Sequence, residues 1–98
     1  MRYDFEWDPE KASKNLRKHK ISFERAASIF RDLNLLTIPD EEHSAFEERW
    51  ITMGLDGNAV LLVISHKFSD IDAEVSQIRI ISARKATASE AEHYEKGI

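Results

Sequence analysis

The stretch "QIRIISARKAT" at residues 77–87 carries three cations along an extended segment and its exit: Arg79 inside it, then Arg84 and Lys85 side by side. Arginine forks suit phosphate oxygens, and so does the N-terminus of a helix, which the residues after Thr87 are expected to open. His66 precedes this set and Glu90 and Tyr94 follow it. Cleaving RNA without a metal needs little more. One group takes the 2′-hydroxyl proton, cations stabilise the five-coordinate phosphate, and an acid can protonate the leaving oxygen. Arg79 and Arg84 are the candidates for the charge role, Lys85 for holding RNA, and His66 or Glu90 for the protons. Each also has a plainer reading. A strand arginine is often an ion-pair partner, Glu90 suits a capping box with Thr87, Tyr94 can pack its ring on the sheet, and His66 can be a strand-end surface residue.

These groups depend on the elements that carry them. Strand periodicity in "QIRIISA" sends Ile78, Ile80 and Ser82 one way and Arg79, Ile81 and Ala83 the other. His66, at the end of "AVLLVISH", would stand beside Arg79 if the two strands are neighbours. That apolar, β-branched run reads as a central strand covered on both faces. "RYDFEW" alternates aromatic and acidic residues, the period of a half-buried strand. Asp8 as N-cap and Pro9 at the first helical position open a helix with Ala12, Leu16 and His19 as a thin stripe on a basic body. Ser22 opens a second helix with Phe23, Ala26, Ala27 and Phe30 on one face. Lys20 stands between them where Gly would suit a left-handed C-cap.

Downstream, "LNLLTIPD" is a short strand and "DEEHSAFEE" a polar, acidic loop. "ERWITMGL" is a strand with Trp50, Thr52 and Gly54 on one face, and "DGN" at 56–58 signals a hairpin. "KFSDIDAEVS" is a loop or an extended hairpin end. Thr87 with Glu90 forms a capping box, and Gly97 stops the last helix. The order β-α-α-β-β-β-β-α describes an α+β fold. Its helices pack on one face of an antiparallel sheet, leaving the other face for chemistry or a partner.

At 98 residues the chain is read as one domain, 1–98. It has no cysteine, which excludes disulfides, thiolate metal sites and cysteine nucleophiles. No apolar run reaches the roughly 18–20 residues of a membrane span and the N-terminus lacks a signal-peptide core, so a cytoplasmic location without membrane contact is expected. The histidines, His19, His43, His66 and His93, have no helical i,i+4 pairing, and no nucleotide-binding or hydrolase-elbow motif occurs, so neither metal nor cofactor is expected. The net charge is −4 but segregated: +3 over residues 1–31, −6 over 32–58 and −1 over 59–98. A local basic site beside an acidic face is compatible with that pattern.

Three blocks in order, "FEWDPEKASKNLRKHKISFERAASIF", "ERWITMG" and "RIISARKATASEAEHYE", resemble the BrnT family of toxins over nearly the whole chain. The resemblance implies a RelE-like sheet with two N-terminal helices on one face and a C-terminal helix. It also implies a type II toxin that acts as a ribonuclease and stops translation. A BrnA-type antitoxin, a ribbon-helix-helix DNA-binding protein, would neutralise it, so operator DNA would be reached only through the antitoxin. Arg79, Ser82, Arg84, Lys85 and Glu90 fall in the family's C-terminal motif, and Lys18 and His19 in its N-terminal one, where they join Lys85 as candidates to bind RNA. Three features depart from the family pattern. Lys20 replaces the usual Gly after "KH", the loop "KFSDIDAEVSQ" is longer and more acidic, and "ASEAEHYE" follows "RKAT" where more arginine is usual. The last lowers the positive charge near the candidate site. It favours an alternative from another class: a non-catalytic or degenerate toxin-fold module that mainly binds an antitoxin or another protein.

Overall fold

Capping chemistry sets the helix boundaries. The chain is seen in a computed structural model that describes residues 2–43 and 48–97. The Asp8 carboxylate accepts the Glu10 N–H, Pro9 takes the first position, and α1 spans Pro9–His19. It ends on Lys20 in the left-handed region, φ 61°, a conformation that costs a non-glycine residue about 1 kcal/mol. Ser22 Oγ accepts the Arg25 N–H and starts α2, Phe23–Ser28, which runs into a 3₁₀ turn at Ile29–Arg31. At the other end of the chain, Thr87 and Glu90 form the reciprocal capping box of α3, Ala88–Lys96, and Gly97 closes it at φ 73°. No helix among the described residues is long and apolar enough to cross a membrane.

Five strands, β1 (Arg2–Glu6), β2 (Leu36–Pro39), β3 (Trp50–Leu55), β4 (Leu61–Asp70) and β5 (Val75–Lys85), form one sheet in the order β1-β5-β4-β3-β2. β2 to β5 make the expected antiparallel meander, with β4 central and Leu62, Val63 and Ile64 all buried. β1 pairs parallel with β5, so the sheet is mixed rather than antiparallel throughout. Alternation in "RYDFEW" specifies a half-buried strand but not its direction, which is decided by the crossover through both helices to β2 on the far edge.

The core lies between the helices and one sheet face, where Ile21, Phe23, Ala26 and Ile29 meet Leu62, Ile64, Ile78, Ile80 and Ala83. Thr52 and Gly54 of β3 share that inner face, as their alternation predicts. The stripe expected on α1 is displaced: Leu16 is 49% exposed, and the buried residue of α1 is Asn15. The 56–58 turn is a hairpin, but Ala59, not Gly57, takes the positive φ of 61°. "KFSDIDAEVS" is the extended end of the β4–β5 hairpin, its tip held by Asp72 accepting the Glu74 and Val75 N–H groups. In the acidic loop, Glu41–His43 form a 3₁₀ turn, and residues 44–47 lie outside the described residues.

One expectation is overturned in β5. Ser65 pairs with Ser82 but His66 pairs with Ile80, so Ile81 is an unpaired bulge residue. The bulge advances the alternation by one. Ala83 therefore joins Ile78 and Ile80 in the core, while Ser82 and Arg84 join Arg79 on the outer face. Uninterrupted alternation would have put the two arginines, five positions apart, on opposite faces.

Candidate functional site

The outer face carries four polar positions in file along β5: Gln77, Arg79, Ser82 and Arg84. Across the sheet, Arg79 is flanked by Glu6 of β1 and Lys67 of β4, and Ser82 by Ser65. β1 ends opposite Arg79, which leaves the edge of β5 beyond it without a strand. Asn15 of α1 takes that place. Its amide nitrogen donates to the Ala83 carbonyl at 2.9 Å and to the Ile21 carbonyl at 3.0 Å, and its oxygen accepts the Ala83 N–H at 3.1 Å. A buried carboxamide thus pairs the backbone just past the bulge, between Ser82 and Arg84.

The two arginines are paired differently. Arg84 meets Glu90 through two parallel bonds, Nη1 to Oε1 at 2.7 Å and Nη2 to Oε2 at 2.8 Å, and Glu90 Oε1 also accepts the Thr87 N–H. The Arg84 bonds, with help from Thr87 and against the opposing effect of burial, hold the Glu90 carboxyl down at about 2. The same bonds push Arg84 above the usual arginine value. Arg79 has one looser contact, Nη1 to Glu6 Oε1 at 3.3 Å. Glu6, Lys67, Gln77 and Arg79 line an open groove of about 370 Å³ on this face.

His66 is elsewhere. It stands opposite Ile80 rather than Arg79, on the inner face, 1% exposed, with its ring edge-on to Phe30. The expected neighbours are adjacent strands but opposite faces, because Lys67, not His66, is in register with Arg79. Nε2 lies 2.7 Å from Thr52 Oγ1, which lies 2.8 Å from Thr37 Oγ1, and Nδ1 faces the Lys67 carbonyl at 3.3 Å. A carbonyl can only accept, so Nδ1 carries the hydrogen and Nε2 accepts from Thr52. Burial pushes the imidazole below its usual value, against a smaller opposing effect of the Lys67 carbonyl, and it is neutral at pH 7.

Lys18 and His19 lie three and four residues past Asn15, on the face of α1 that meets the β5 edge. Lys85 is exposed at the strand exit. Tyr94 donates to Asp32 at 2.5 Å; burial and that carboxylate push its hydroxyl up to about 12. Asp32 also accepts the Leu55 N–H, so α3 is tied to β5 at Glu90 and to the end of β3 near Tyr94.

The model of the family described as the ribonuclease toxin, BrnT, of type II toxin-antitoxin systems matches residues 7–90. This chain belongs to the BrnT family. The crystal structure of the Brucella abortus ribonuclease toxin, BrnT, is similar over 89% of this chain and 99% of that one, with a TM-score of 0.63. At 22% identity that likeness is one of fold. No curated protein matches the chain.

In this BrnT-family chain, periodicity and motif single out Arg79, Arg84, Lys85, Lys18 and His19 without the residues they pair with, and give Glu90 only its Thr87 partner. Neither gives Glu6, Lys67 or Asn15 a part in the site. The bulge did leave a trace: polar residues fall at 77 and 79 and then at 82 and 84, a one-residue phase slip across the doublet Ile80-Ile81. Once that slip is read, strand pairing assigns Lys67 and Glu6 to Arg79.

Proposed function

We propose that this chain is a metal-independent endoribonuclease, one toxin domain over 1–98, that arrests translation in the cytoplasm and is held inactive by a BrnA-type antitoxin. The observation that carries this reading is the bulge at Ile81, which gathers Arg79, Ser82 and Arg84 on the sheet face left open by α1 and α2. Arg79 contacts the scissile phosphate. Arg84 lies roughly 15 Å further along the strand, too far to share that phosphate. With Lys85, Lys18 and His19 it holds flanking nucleotides, its position set by Glu90. In a metal-free mechanism, charge stabilisation falls to Arg79.

The pairing of both arginines with glutamates favours a second reading, a module whose basic face chiefly docks an antitoxin. Purified, antitoxin-free protein incubated with RNA and with ribosomes in EDTA separates the two. The ribonuclease reading expects cleavage to persist in EDTA and to fall about 100- to 1,000-fold in Arg79→Ala, the usual cost of removing a group that stabilises transition-state charge. It also expects induced wild type, but not this variant, to stop growth. Cleavage lost with EDTA defeats the metal-free mechanism. Folded wild type that neither cuts RNA nor stops growth leaves the docking module.

A further inference from the structure

Neither His66 nor Glu90 is placed to take a proton at the Arg79 phosphate: His66 is on the other face, and both Glu90 oxygens are engaged. We propose that Glu6 is the general base of the RNA-cleaving site and Lys67 its second cation, an assignment that rests on the ribonuclease reading above. Glu6, Arg79 and Lys67 are consecutive cross-strand neighbours on β1, β5 and β4, and all three line one groove. Neighbouring strands are about 4.8 Å apart, so the row spans roughly 10 Å, the scale of one nucleotide linkage. The Arg79 contact is to one Glu6 oxygen, Oε1, and the Glu6 side chain is 41% exposed in the groove. Two cations side by side in one groove suit a doubly charged anion, and the five-coordinate phosphate of transesterification is one.

The step balances within this row. Glu6 takes the proton of the 2′-hydroxyl, the 2′-oxygen bonds to the adjacent phosphorus, and the bond from phosphorus to the 5′-oxygen breaks. The leaving oxygen takes a proton from water, and Glu6 returns its own to solvent. Arg79 and Lys67 hold the non-bridging oxygens throughout. The products are a 2′,3′-cyclic phosphate and a 5′-hydroxyl end.

The test uses the full chain and a short single-stranded RNA, with its 2′-O-methyl analogue as a binding probe that cannot be cut. Glu6→Gln is expected to slow single-turnover cleavage at least about 100-fold and to abolish the acid limb of the pH–rate profile. Binding of the probe is expected to stay within about threefold of wild type. Glu6→Asp, which keeps the carboxylate, is expected to keep that acid limb at reduced rate. Lys67→Met is expected to cut about tenfold or more slowly. Glu6→Gln cleaving within about threefold of wild type overturns the base assignment while leaving the ribonuclease reading intact. Products with 3′-hydroxyl and 5′-phosphate ends overturn it too, since the 2′-oxygen is then not the nucleophile. Wild type inactive on free and ribosome-bound RNA overturns both readings together.

Discussion

Two arginine–glutamate pairs sit on the same sheet face and have been put to different uses. Their arginines are equally exposed, 42% each, so solvent access does not separate them. Geometry does. Glu90 receives two bonds from Arg84 and one from the Thr87 backbone, caps α3, and is held at about 2. A carboxylate so fully occupied is a poor acceptor for a substrate proton at neutral pH. Glu6 makes one contact at 3.3 Å and faces Lys67 across Arg79, so its pair is loose enough for a phosphate to enter. Bidentate, backbone-anchored pairs build structure, and single, loose ones are where chemistry can be inserted.

That contrast depends on both arginines sharing a face, which Asn15 secures. Asn15→Ala leaves the Ala83 N–H, the Ala83 carbonyl and the Ile21 carbonyl without their partner. Buried unpaired groups of this kind predict a loss of about 3 kcal/mol in urea unfolding. A loss below about 0.5 kcal/mol would show that the bulge needs no such brace.

Glu90→Gln should cost about 1–2 kcal/mol, since it weakens a helix cap and a half-exposed ion pair together. Cleavage should stay within about tenfold of wild type, because Arg84 keeps its charge. Thermal unfolding and single-turnover rates on the same preparation check both. Unchanged stability with abolished cleavage would reverse the roles given to the two pairs.

The smallest effect concerns His66, whose buried imidazole is, like Glu90, committed to structure. Its folded value lies below the 6.5 of the unfolded chain, so the unfolded state takes up the proton first as pH falls. The stability tied to the neutral ring is complete above about pH 6.5 and is lost as pH drops below it. Stability should therefore fall as pH drops from 7.5 to 5.5, and His66→Gln should flatten that slope. An equal slope in the variant would assign the pH dependence to other groups.

Much of this molecule was legible in its sequence. Asp8-Pro9, Ser22 and the Thr87–Glu90 box marked the helix starts because each cap is a local bond between residues two or three apart. The unbroken apolar run at 60–64 marked the central strand. What stayed hidden was non-local. The direction of β1, the neutral burial of His66 and the pairing of Lys67 with Arg79 follow from which strands become neighbours. The face of Ser82 turned on one inserted residue, and a strict period of two cannot anticipate an insertion. Asn15 looked like one more polar residue on a basic helix, because nothing near it in sequence shows that a strand edge 68 residues away lacks a partner.

The central claim is that the loose pair, not the locked one, supplies the base. Single-turnover cleavage of one short RNA by wild type, Glu6→Gln and Glu90→Gln, side by side at pH 7 in EDTA, tests it most directly. Cleavage is expected to fall at least about 100-fold in Glu6→Gln and less than about tenfold in Glu90→Gln. The opposite ranking would contradict it.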